Sequence, residues 1–207
     1  MPPRPFPYPL RIGTDICHIP RIRALISKKV PGDNDAQPLD RFLSHILTWP
    51  ERQHFINRFG RVGKALDDAD NVAKYLAGRW AAKEACRKAC EHLGQARGLH
   101  HIMILPAERH IFNSSPKETS RPRGLLLREP LDPFPSDTIR SNSAARRPLL
   151  GSQSDSAALS SFPEPNQNSK FDLDSVEGQF FEVSISHDGE YAQAVAMVPV
   201  VHWEGGE

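Results

Sequence analysis

No stretch of this 207-residue chain approaches the ~18 consecutive apolar residues of a membrane-spanning helix, so none is expected. An excess of either charge is also missing. The net charge is +1, which leaves no whole-molecule field for a polyanion such as nucleic acid. Cysteine is scarce: Cys17, Cys86 and Cys90 are too few for a disulfide framework and suit a reducing compartment. Cys86 and Cys90 stand one helical turn apart, but no second pair follows at ligand spacing, so they read as buried small apolar residues rather than zinc thiolates. The opening Met1–Pro9 is too proline-rich for an amphipathic presequence, and no organelle address is legible there.

What is present alternates between helical and strand periodicity. Leu10–Ile16 reads as a strand turning at Gly13, with Asp15 near its end. Ile19, Ile22, Leu25 and Ile26 have helical spacing, with Arg21, Arg23 and Lys28 on the polar side. A loop over 31–38 leads to a short helix over 39–47. The next helix opens on Thr48 and Glu51, at capping-box spacing, and ends at Gly60. After the helix described below, His101–Leu105 reads as a strand. Residues 107–178 are rich in serine and proline, lack sustained periodicity, and read as a disordered insertion from which deletion of 115–170 is expected to be tolerated. Phe181, Val183 and Ile185 then alternate with Glu182, Ser184 and Ser186, and a two-residue turn at Asp188–Gly189 returns the chain as a second strand. The expectation is an α+β domain from 10–106 and 179–201, an antiparallel sheet packed on a long central helix, with 1–9 a flexible N-terminal segment and 107–178 inserted.

That central helix is Tyr75–Leu93. Ala81, Ala82, Ala85, Cys86, Ala89 and Leu93 fall on one arc, and Arg79, Lys83, Glu84, Arg87 and Lys88 on the other. A face built of alanine is thin and lets another backbone come close. Asp70 or Asn71 is placed to cap its start and Gly94 its end. Glu84 and Lys88, four apart, are neighbours that can meet a ligand together, or form an ordinary solvated pair.

Three segments stand out: Ile12–Ile22 (IGTDICHIPRI), Tyr75–Ala89 (YLAGRWAAKEACRKA) and Val183–Ala192 (VSISHDGEYA). In this order they resemble the 4′-phosphopantetheinyl transferases of the small holo-[acyl-carrier-protein] synthase type, whose patterns are G-T-D-I-x-x-I-x-R-I, F-L-A-x-R-[FW]-A-x-K-E-A-x-x-K-A and V-S-[IL]-S-H-[DST]. Ile46–Glu51 is similar to that family's I-L-T-x-x-E segment. The resemblance implies transfer of 4′-phosphopantetheine from coenzyme A to a serine of an apo-acyl-carrier protein, with release of 3′,5′-ADP. It implies Asp15 and Glu84 as magnesium carboxylates, Lys88 at the pyrophosphate, and Arg79 and Lys83 at the nucleotide phosphates. Ser186 and His187 match contacts to the adenosine end, and Arg21, with Arg23 beside it, the basic position that meets the carrier protein. Either Glu84 or a water would take the serine proton. Small members are trimers with the coenzyme across each subunit interface, so Ser186 and His187 would serve a neighbour's site. Cys17 stands where larger relatives carry a third carboxylate, and His18 where many members have Glu. The proline-rich style and long insertion suggest a fungal, mitochondrial member, with the cytoplasm as the other compartment.

Two other readings compete. A Ser–His hydrolase built on Ser184, Ser186 and His187 fails because adjacent strand residues do not place a base beside a nucleophile, and no G-x-S-x-G elbow occurs. A non-catalytic carrier-protein-binding scaffold would have no reason to keep Asp15, Glu84 and Lys88 together. RNA binding through the insertion's arginines lacks interleaved aromatics.

Overall fold

The computed structural model describes residues 7–28, 37–90, 98–105, 122–131 and 171–200. Its strands are β1 (Leu10–His18), β2 (Ile102–Leu105), β3 (Arg123–Leu127), β4 (Gly178–Asp188) and β5 (Tyr191–Pro199). Its helices are α1 (Ile19–Ile26), α2 (Gln37–Ile46), α3 (Trp49–Phe59), α4 (Val62–Ala65) and α5 (Ala69–Ala89). The five strands form one antiparallel sheet in the order β1-β5-β4-β3-β2. The α+β class and the sheet laid on a long helix are as expected.

The 21-residue α5 runs along the inner face of the sheet, with Val72, Ala73, Leu76, Ala77, Ala81, Ala82, Ala85, Cys86 and Ala89 buried. It begins at Ala69 behind Asp68, earlier than the capping residues expected, and Asn71 donates to Asp68. Gly94 lies outside the described residues, as does most of the loop expected over 31–38.

Gly13 is not a turn. It sits inside β1 opposite Ala196, and a Cβ there would come within 1.9 Å of the Ala85 carbonyl oxygen and 2.8 Å of the Ala89 nitrogen. The glycine is needed because the strand lies directly on the helix backbone. β1 therefore continues to His18, and Asp15 stands in its body, three residues from the end. Since side chains alternate along a strand, Gly13, Asp15 and Cys17 share the helix side, and Ile12 and Ile16 the outer side.

In the hairpin, pairing of Asp188 with Tyr191 makes Gly189–Glu190 the loop, one residue later than expected. Gly189 takes φ +50°, a left-handed value suited to glycine at the first loop position.

A larger correction concerns the insertion. β3 lies within 107–178 and pairs with β2 and β4, with Leu125, Leu126 and Leu127 all buried. Removing 115–170 would therefore take a strand from between two others. Composition hid β3 because five residues with both faces covered show no alternation. Residues 171–177 are also placed, with Phe171, Leu173, Val176, Phe180 and Leu131 packed on Met103, Leu105, Leu125 and Leu127. This second small core covers the outer sheet face at the β2–β3 end. Residues 107–121 and 132–170 of that stretch, like 1–6, lie outside the described residues.

Candidate active site

Where β1 crosses α5, the inner-face Asp15 meets the last turns of the helix. The Lys88 ammonium donates to Asp15 Oδ1 at 2.8 Å and to the Thr14 carbonyl at 3.1 Å. One turn earlier on α5, Glu84 Oε2 pairs with Arg87 at 3.0 Å. Both carboxylates are mostly covered, at 15% and 13% exposure, while Lys88 and Arg87 are about half exposed at 51% and 55%. The result is two acids, one from each element, each matched by a cation that can swing into solvent. Arg87, absent from the sequence-based site, belongs to this cluster; its i,i+3 relation to Glu84 was the available signal.

Among the described residues no group of three or more His, Cys, Asp or Glu is assembled for a metal ion. Magnesium does not require one. It keeps several waters and binds through one or two carboxylates together with substrate phosphates. Asp15 and Glu84, the two hard-oxygen donors flanking Lys88, fit such an ion, and the nearest cations stand ready for phosphate oxygens.

Arg79 and Lys83, expected on the ligand side of α5, point into the protein instead. Lys83 is fully buried, donating to Glu51 Oε2 at 2.6 Å and to the Leu99 carbonyl at 3.2 Å. Burial pushes its ammonium below the ordinary lysine value, and the Glu51 carboxylate opposes that shift. Arg79, 8% exposed, donates to the Ile104 carbonyl at 3.0 Å and lies over the Tyr75 ring. Glu51 Oε1 accepts from the Ile104 N–H at 2.9 Å. β2 is an edge strand, so these two side chains occupy backbone groups that would otherwise stand unpaired at its open side. The polar arc of α5 is thus split: Arg79, with Glu51, closes the sheet edge, Lys83 is buried against Glu51, and Glu84, Arg87 and Lys88 form the remaining arc, from which Lys88 reaches β1.

Glu51 also fulfils its capping role, accepting from the Thr48 N–H and hydroxyl, each at 2.9 Å. The spacing of Thr48 and Glu51 predicted the cap; nothing local announced the buried partner 32 residues away.

His187 falls on the helix side of β4 and Ser186 on the exposed opposite face, so within one chain they do not converge. The His187 Nε2 donates to the Lys74 carbonyl at 3.1 Å, since a carbonyl only accepts. Gly78 beneath it makes the room: a Cβ there would stand 3.0 Å from Nε2. Arg21 and Arg23 project from α1 into solvent, Arg23 pairing with Asp70 at 2.9 Å. Trp80, on the flank of α5, stacks on Phe42 of α2. Cys86 and Cys90 are buried with sulfurs 4.0 Å apart, and that contact together with burial holds the Cys86 thiol protonated, as expected of packing residues.

Comparison with known proteins agrees with the resemblance. Residues 11–126 match the model of the 4′-phosphopantetheinyl transferase superfamily. The chain is 38% identical over 112 residues to 4′-phosphopantetheinyl transferase B, mitochondrial, of Aspergillus fumigatus, covering 50% of this chain and 69% of that protein. It is 36% identical over 96 residues to the holo-[acyl-carrier-protein] synthase of Shewanella woodyi, covering 45% of this chain and 61% of that one. Among solved structures, the holo-ACP synthase of Plasmodium yoelii aligns at 15% identity with a TM-score of 0.45, covering 93% of this chain and 95% of that chain. The Chronobacterium ammoniagenes ACPS-CoA complex aligns at 20% identity and TM-score 0.41, covering 93% and 98%.

Proposed function

The chain belongs to the 4′-phosphopantetheinyl transferase superfamily, in its holo-[acyl-carrier-protein] synthase class, and from that premise we propose that it moves 4′-phosphopantetheine from coenzyme A to a serine of an apo-acyl-carrier protein. The observation that carries this reading is the pairing of Asp15 with Lys88 one turn from Glu84, which sets two carboxylates and two movable cations at the β1–α5 crossing.

In the proposed reaction the serine oxygen forms a bond to the β-phosphorus of coenzyme A, and the bond to 3′,5′-ADP breaks. Asp15 and Glu84 would hold magnesium, which when bound neutralises negative charge developing on the diphosphate. Lys88 orients the diphosphate and gives a proton to the departing oxygen. The serine proton passes to Glu84 or to a water. Arg87, half exposed beside Glu84, takes the place of Arg79 and Lys83 as the cation available to phosphate oxygens. The exposed Arg21 and Arg23 suit an acidic carrier surface, which is read by a patch because single exposed pairs contribute only ~0.2–1 kcal/mol.

Self-association as a trimer accounts for the split of Ser186 from His187, with the two serving sites on different subunits. It also accounts for the outer face at the β1–β5 end, where Ile12, Ile16, Tyr191, Val195 and Met197 are 69, 63, 49, 40 and 39% exposed. Residence in the mitochondrion is proposed from the name of the Aspergillus fumigatus relative.

The deciding experiment incubates the protein with coenzyme A, magnesium and an apo-carrier protein and reads intact mass. Gain of a phosphopantetheine mass by the carrier supports transfer. Binding without any mass gain would replace the enzyme with a carrier-binding scaffold.

A further inference from the structure

Glu51 is 4% exposed and every polar contact it makes is to another element or to its own cap: Thr48 at the start of α3, Lys83 in the middle of α5, and Ile104 of β2. A carboxylate buried with an ammonium is a poor way to gain stability, because desolvating two charges offsets most of their attraction. What such a pair supplies is a fixed geometry. Lys83 immediately precedes Glu84, so the two side chains diverge by about 100° around α5. When Lys83 is drawn toward Glu51 and the Leu99 carbonyl, Lys88 is turned onto β1, and Glu84, one turn before it, shares that flank of the helix. The other side of the helix is held by backbone contact, Gly13 lying on Ala85 and Ala89. The helix is thus gripped from two directions, one polar and one steric, at the level of the two carboxylates.

We propose that Glu51, acting through Lys83, is a positioning residue that sets the rotation of α5 and so holds Glu84 in register with Asp15 for binding a divalent cation. This rests on the transferase reading of the Asp15–Glu84 site and extends it by one shell of side chains. Groups bonded directly to metal ligands typically influence metal affinity about 10–100-fold; Glu51 and Lys83 act through the helix backbone instead, so the low end of that range is expected.

The test is Mn²⁺ binding, followed by electron paramagnetic resonance with coenzyme A present, in wild type, Glu51→Gln and the double variant Glu51→Gln/Lys83→Met. Glu51→Gln alone strands a buried ammonium and is expected to lose stability. The double variant removes that charge while glutamine still accepts from Thr48 or Ile104, so it provides a folded protein if the single variant does not. The expected result for the folded double variant is an Mn²⁺ affinity lower by about tenfold. The turnover rate should fall in parallel, with the KM for the carrier protein unchanged. A double variant that melts at a lower temperature but binds Mn²⁺ as wild type would overturn the proposal, leaving Glu51 a purely structural residue. Mn²⁺ binding by wild type that is insensitive to Asp15→Ala and Glu84→Ala would overturn the transferase site itself, and the positioning role with it.

Discussion

At the scale of single residues, the two acids and Lys88 have opposite parts in the proposed site. Asp15→Ala and Glu84→Ala each remove one of two hard-oxygen ligands, at positions that are not core hydrophobic sites. Each should abolish carrier modification by intact mass while leaving the circular dichroism spectrum intact; normal turnover in either variant would remove the metal assignment. Lys88→Met separates binding from chemistry. Its ammonium rests on Asp15 Oδ1, on the carboxylate that would hold the cation. The pair is half exposed on the lysine side and worth only ~0.2–1 kcal/mol. Freeing Asp15 should therefore raise Mg²⁺ affinity without coenzyme roughly two- to fivefold by calorimetry. The same variant should lose transfer, because the proton donor is gone. The helical repeat makes Glu84 and Lys88 legible as neighbours, while the part proposed for Asp15 comes from the family resemblance alone. Arg79 and Lys83 turn inward, away from the ligand side, to partners, the Ile104 carbonyl and Glu51, that belong to distant parts of the chain and leave no mark on the helix pattern.

At the scale of elements, the site depends on how closely β1 approaches α5. Gly13→Ala places a methyl 1.9 Å from a carbonyl oxygen and 2.8 Å from an amide nitrogen, both backbone atoms that cannot rotate away. The strand must lift, and overpacking of this kind costs about 1–3 kcal/mol. Urea denaturation should show a lowered midpoint. The shift should also move Asp15 away from Glu84 and weaken Mn²⁺ binding in the folded fraction; a variant with unchanged midpoint and unchanged binding would show that the contact is not close. The alanine-lined face of α5 foretold a near backbone, although not which one, and Gly13 read as a turn because the glycine alone does not distinguish a bend from a close approach. β3 escaped notice for a related reason. Gly124 lies under the Phe181 ring of the neighbouring strand, and Leu125–Leu127 are buried on both sides, so neither alternation nor a turn residue marks the segment.

At the scale of the whole molecule, the outer face of the sheet is unevenly covered. At the β2–β3 end, Leu131 and residues 171–177 close over it; at the β1–β5 end, Ile12 faces solvent beside its cross-strand neighbour Met197. A heterologous contact that closes into a three-fold ring would bury that apolar end and bring the outward Ser186 of one subunit toward another. Ile12→Glu isolates this arrangement. The side chain is 69% exposed and points away from α5, so a glutamate there leaves the helix packing and the inward Asp15 untouched. Placed in an apolar subunit interface, the same carboxylate would carry a desolvation cost with no partner. Sedimentation velocity should therefore show wild type as a trimer and the variant as a monomer with an unchanged melting profile. If Ser186 and His187 complete sites across the interface, the monomer should also show a raised KM for coenzyme A. A variant that remains trimeric would move the interface away from this apolar end, and a wild type that is monomeric at all concentrations would confine the whole site to one chain and leave Ser186 without a part in it.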